Sequence, residues 1–277
     1  MGKEVESSGA GKERARAVYP VWTLLGLTLR ELVGTKRALL YLAMLLVPVA
    51  CSAWYAAGEE MGQDPLYLWG VIFVLAYLDF IVPMTALLLG STLISGEQEG
   101  QTLTYLLTRP VPRWLVVLVK YGAAAGVAIV GLTLSMLGTY WMLTLHPYPP
   151  TGDKNFLYWA LLAGVGIAAL LVYLAIFLFA GMRFRRPAIA GLVFILAWEN
   201  PIGFLNGVVR YLTVVHYLRS LAIHATKGVI VLPPLFGIRA ATLSTAMLVL
   251  GVLWVGFLAL SVWYFSRGEF QTGAERK

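Results

Sequence analysis

Two groups of ionisable residues stand where chemistry or charge-based recognition can use them. Glu97 and Glu99 open a short polar island, "ISGEQEGQTLTYLLTRPVPR" (residues 94–113), which Arg109 and Arg113 close. Acids at one end of a short segment and bases at the other suit docking against a partner of matching charge. Asp79, in "VLAYLDFIVPM", stands alone in a long apolar run, four residues before Pro83. An ionisable group in such a run is costly unless paired or wetted, which makes it a candidate for a substrate path or a gate. A carboxylate bonded to a neighbouring helix for packing is the alternative. Pro83 lacks the amide that an α-helix would direct at the Asp79 carbonyl, so a kink, a released carbonyl and a carboxylate coincide.

Other reactive groups lack company. Cys51 is the single cysteine, so no internal disulfide can form. His216 and His224 can share a helix face, but no third ligand joins them and no metal site is expected. "GAGK" at Gly9–Lys12 is a fragment of a phosphate-binding loop with Glu6 where the first glycine belongs and Glu13 after the lysine. Neither a Ser/His/Asp set nor an H-E-x-x-H motif is present. The expectation is a chain with no catalytic residue, no metal and no cofactor of its own.

The elements that must position these residues follow from composition. The 277 residues are 59% hydrophobic and 13% charged, against about 25% charged in a soluble domain. Mean hydropathy is +0.77. These values describe an all-α integral membrane protein whose spans each need roughly 20 apolar residues. Six spans are expected, at about 38–57, 66–94, 115–145, 156–181, 187–204 and 238–265. The fifth is short, because Glu199 and Pro201 break it.

Lysine and arginine set the orientation. With the N-terminus inside, 16 of the 21 bases fall on the cytoplasmic side, including Arg183, Arg185 and Arg186 in one short loop. The outer loop "GEEMGQDP" has acids and no base. The net charge of +7 is therefore topology, and nucleic acid is not an expected partner. Both termini are expected to be cytoplasmic in a multi-pass protein of the cell membrane.

Residues 1–17 read as a disordered cytoplasmic tail and 18–36 as an interfacial amphipathic helix, with Val18, Val21, Trp22, Leu25, Leu29 and Leu32 on one face. Residues 37–265 form the six-span domain and 266–277 a second tail. The island is expected to be a helix over 96–109. Ser95-x-x-Gln98 is a capping box, Glu97 and Glu99 suit the first turn and Arg109 the last, and Pro110 stops it. Either an interfacial anchor or a docking element fits those facts.

Glu97, Glu99, Thr102, Leu106, Leu107, Thr108, Pro110, Arg113 and Lys120 together resemble the signature of ABC transporter permeases of the type-2 exporter class. The resemblance implies that the island is a coupling helix, with Glu97, Glu99, Thr102, Leu106, Leu107, Arg109 and Arg113 at the contact with an ATP-binding subunit. ATP and magnesium would bind that separate subunit, and the chain would pair with a second copy or a homologous permease. The stretch 199–237 resembles the membrane-dipping extracytoplasmic segment such permeases carry. In it, Leu205, Val208, Leu212 and Val215 form one stripe of a helix and Asn206, Arg210, Thr213 and Tyr217 the other. Glu199 is expected at the membrane interface, with Arg210 as a possible partner. A membrane scaffold that recruits a soluble protein without transport is the competing function.

The orientation is directly testable. A cysteine placed at Gly62 is expected to react with an impermeant thiol reagent in intact cells, and one at Gln101 only after the cytoplasmic face is opened. Labelling of Gln101 from outside reverses the topology.

Overall fold

The computed structural model describes residues 25–30, 32, 36–58, 65–91, 93, 112–145, 155–204, 208–228 and 240–267. Among them every element is helical and there is no strand. That outcome is forced in hydrocarbon, where a segment must satisfy its own backbone hydrogen bonds. The elements are α1 (Lys36–Ala57), α2 (Pro65–Val71, Ile72–Ile81 and Val82–Gly90 run together), α3 (Arg113–Thr144) and α4 (Asn155–Arg183). Next come α5 (Pro187–Val193, Phe194–Glu199 and Asn200–Phe204 run together), a 3-10 segment Val208–Leu212, α6 (Val214–Ala225) and α7 (Leu243–Arg267). Five of these, α1, α2, α3, α4 and α7, are long and apolar enough to cross a membrane, whereas α5 is a shorter apolar helix. The interfacial helix expected at 18–36 is described only at residues 25–30 and 32, and the island at 96–109 lies outside the described residues.

α4 is the axis of the bundle. Some 67% of its apolar window is buried, against 28% for α1 and 17% for α7, whose outer faces are left for lipid. Tyrosine, tryptophan, serine and threonine cross-link the helices by hydrogen bonds. Ser135 Oγ gives its one proton to the Leu45 carbonyl at 2.5 Å. Tyr77, which meets both Ser135 and Thr139 at 2.8 Å, must then donate to Ser135 and accept from Thr139. Trp159 Nε1 donates to the Met136 carbonyl, and Trp254 Nε1 to Tyr121 Oη, which donates to the Leu171 carbonyl. Each chain passes through α3, so α3 ties α1, α2, α4 and α7 together.

The two ends of the bundle close by opposite devices. At one end Trp69, Tyr140, Phe156 and Trp159 make a continuous aromatic cluster, with Phe156 stacked on Trp159 at 5.2 Å. At the other end small residues bring backbones into contact. A Cβ at Gly181 of α4 would lie 2.7 Å from the Ser91 carbonyl oxygen, just past α2, and one at Gly90 would lie 3.2 Å from the Leu174 carbonyl oxygen.

Helices α2 and α5 share a further feature. Each contains a π-helical stretch, Ile72–Ile81 and Phe194–Glu199, in which amides reach five residues back: Val82 to Tyr77 and Asn200 to Ile195. Each stretch ends two residues before a proline, Pro83 or Pro201. A proline has no amide for the carbonyl four residues behind it, and the wider turn accommodates the mismatch.

The glycine contact gives a stability test. Gly181→Val forces α2 away from α4 and is expected to cost about 1–3 kcal/mol, the usual range for overpacking. A lowered melting temperature in detergent reads it. Gly164→Val, on the same helix with open space around it, is the control and is expected to melt like the parent.

Candidate functional site

Asp79 is not alone. Its carboxylate accepts a 2.6 Å bond from Arg219 of α6, in an ion pair between residues 140 apart in sequence. The arginine is fully buried and the aspartate 5% exposed. The other arm of the guanidinium donates to the Gly203 carbonyl at 3.2 Å. A side chain at 203 would strike Val215, so only glycine lets α6 lie this close to α5. Pro83, the other residue expected to mark this depth, is buried one turn along α2.

A second acid completes the cluster. Glu199, the last residue of the π stretch in α5, is buried to 1% exposure and not at an interface as expected from its place at the end of an apolar run. One carboxylate oxygen accepts from Tyr173 Oη at 2.6 Å and from the Val215 amide at 2.5 Å. Val215 lies in the first turn of α6, where amides have no partner within the helix and a negative charge suits the dipole. Thr213, the residue before α6, adds no cap of its own to the helix. Glu199 thus caps a helix from a neighbouring element and is not bonded to Arg210.

Helix rise places these groups at one level. Gly90, Arg183 and Pro187 share an end of the bundle, as the Gly181–Ser91 contact and the short link to Pro187 require. At about 1.5 Å per residue, Asp79, Tyr173 and Glu199 stand roughly 15–18 Å above it. That is near the middle of a hydrocarbon layer about 30 Å thick.

The single helix with two stripes expected after residue 205 is instead broken. Residues 205–207 lie outside the described ones, Val208–Leu212 is a 3-10 turn, and Thr213 is extended. Extended backbone at Thr213 re-aims the chain, so Arg219 rather than Arg210 meets an acid. His216 and His224 have separate surroundings: His224 Nε2 lies 2.8 Å from the Ala241 carbonyl, at the approach to α7, while His216 is buried edge-on against Tyr211.

At the small-residue end, Lys120 is buried and its ammonium donates to the Leu93 carbonyl at 2.7 Å. This pins the chain just before the island to α3, and Arg113 after the island is the first residue of α3. Glu97, Glu99, Thr102, Leu106, Leu107 and Arg109 lie outside the described residues.

A family model for ABC-2 family transporter proteins matches residues 31–198, more than half of the chain. The chain belongs to the ABC-2 transporter family. No curated protein matches it. As an ABC-2 permease it is a multi-pass membrane component of a transporter. The match holds α1 to α4, the island and Asp79, and it stops one residue before Glu199, so Asp79 is inside the matched region while Glu199 and Arg219 are outside it.

Breaking and removing the pair have different expected costs. Asp79→Leu strands a buried guanidinium and is expected to lose about 3–5 kcal/mol, whereas replacing both partners with apolar residues is often neutral. The Asp79→Leu/Arg219→Met double variant is therefore expected to melt at or above the parent temperature, with the single variant well below. Equal melting of single and double variants shows that the two residues do not act as a pair.

Proposed function

We propose that this chain is the membrane subunit of an ATP-driven exporter. ATP and magnesium are handled by a separate ATP-binding subunit, and the transport path forms between this chain and a second copy or a homologous permease. The observation that carries the reading is the ABC-2 match across the first four spans and the island.

In this reading Glu97–Thr108 is the coupling helix. Glu97, Glu99, Thr102, Leu106 and Leu107 meet the ATPase, with Arg109 and Arg113 at the return to the membrane. Both termini and the island are cytoplasmic. Movement of the island reaches α2 and α3 together, because Lys120 holds Leu93 against α3. The segment from Glu199 to the start of α7 is a re-entrant gate on the extracytoplasmic side. Its latch is Asp79 with Arg219, and its hinge is the π stretch before Pro83, which can exchange one hydrogen-bond register for another at small cost.

The test is made on the island. Glu97→Lys/Glu99→Lys is expected to leave insertion intact, since the spans are untouched, while the ATPase no longer co-purifies or hydrolyses ATP without transport. The double glutamine variant keeps helix formers without charge, and docking predicts a loss close to that of the lysine variant. Normal coupling by the double-lysine protein removes these glutamates from the contact. An ATPase that binds but never drives movement of any cargo favours the scaffold.

A further inference from the structure

Arg210 has no described partner for its charge. It is 7% exposed, and among the described residues its guanidinium makes neither an ion pair nor a hydrogen bond, with Nε buried and unpartnered. Neither Asp79 nor Glu199 bonds to it: Asp79 pairs with Arg219 through one oxygen, and Glu199 takes Tyr173 and the Val215 amide on one oxygen. An arginine cannot shed its proton to escape the cost of burial. The guanidinium carbon lies 5.4 Å from the centre of the Tyr211 ring, and the His216 ring meets the same tyrosine at 4.9 Å. His216 is 2% exposed, and its Nε2 is a second buried polar atom without a described partner. Two buried nitrogens thus lie at one aromatic ring with no described acid bonded to either.

The turn that carries Arg210 also presents apolar side chains to the outside. Val208 is 80% and Leu212 67% exposed, on the same 3-10 turn as Arg210. We propose that Arg210 and His216, with Val208 and Leu212 exposed on the same turn as the arginine, form a binding site for an anionic amphiphile, a phosphate or carboxylate head carried on alkyl chains. The planar fork of Arg210 fits a phosphate or carboxylate edge with two bonds. His216 supplies a further donor, and the two exposed side chains take the hydrocarbon. The placement of the site within the bilayer rests on the re-entrant reading above. The head group belongs either to a resident phospholipid or to a transported amphiphile.

Binding to the full chain alone, in nanodiscs of phosphatidylcholine, tests the site without any ATPase. Failure of coupling therefore leaves this result untouched, and failure here leaves coupling untouched. Dioctanoyl phosphatidylglycerol is expected to bind at least tenfold more tightly than dioctanoyl phosphatidylcholine and than inorganic phosphate. Arg210→Gln is expected to abolish that preference and Arg210→Lys to retain part of it. Arg210→Leu removes an unanswered charge, so it is expected to lose binding yet melt no lower than the parent. Equal binding of the two lipids, binding of phosphate as tight as that of the anionic lipid, or a marked fall in the melting temperature of Arg210→Leu overturns the proposal. With the ATPase present, ATP-dependent transfer of a fluorescent anionic lipid between leaflets identifies the occupant as cargo. Retention without transfer identifies it as a resident lipid, and either result upholds the site.

Discussion

A guanidinium and a carboxylate can share a hydrocarbon interior only as neighbours, because separating them leaves a buried charge that costs several kcal/mol. The Asp79–Arg219 pair imposes that condition on everything around it. Helix α6 has to reach the middle of the bundle, so its first turn needs an acceptor there, and Glu199 provides one. The close approach of α6 to α5 leaves no room for a side chain at Gly203, whose carbonyl takes the remaining arm of the arginine. Both acids sit on π stretches before prolines, where the helix has already given up its regular ladder.

The rest of the bundle divides the work by depth. Hydroxyl and indole bonds run through α3 and bind four other helices to it, each bond contributing modestly, about 0.6 kcal/mol on average in membranes. Rings fill the aromatic end, and backbones touch at the glycine end. The glycine end adjoins the island, and it also contains the buried lysine that fixes Leu93 to α3. A force applied to the island is therefore delivered to a part of the bundle where backbones touch and little can be absorbed by side-chain motion.

Much of the architecture was legible in the sequence because hydrocarbon leaves few choices. Apolar runs of the right length announce the spans, and a lone Asp79 in one of them announces itself. Its partner was not legible, since Arg219 lies in a stretch whose stripes, read at a constant 3.6-residue period, put Arg210 on the polar face instead. The break at Thr213 resets that period, and nothing in "VVRYLTVVHYLRS" marks it except a threonine between valines and leucines. Glu199 looked terminal because Pro201 follows it, yet the helix continues through the proline by widening a turn first. The π stretches had a visible signal, proline two to four residues past an acid in an apolar run, but proline reads as a kink before it reads as a register shift.

The span of 140 residues between the two partners bears on how the protein is made. At roughly 5–20 residues per second, the ribosome delivers Arg219 about 7–30 s after Asp79. During that interval α2 must enter the bilayer with an unanswered carboxyl near its centre, a penalty of about 2.5–3.5 kcal/mol on the insertion scale. Its mean hydropathy of 2.3 over the spanning window is what lets it enter without help. The membrane therefore accepts the acid on credit from its apolar neighbours, and the arginine, arriving later on a helix too polar to insert by itself, is drawn in by the charge already waiting there.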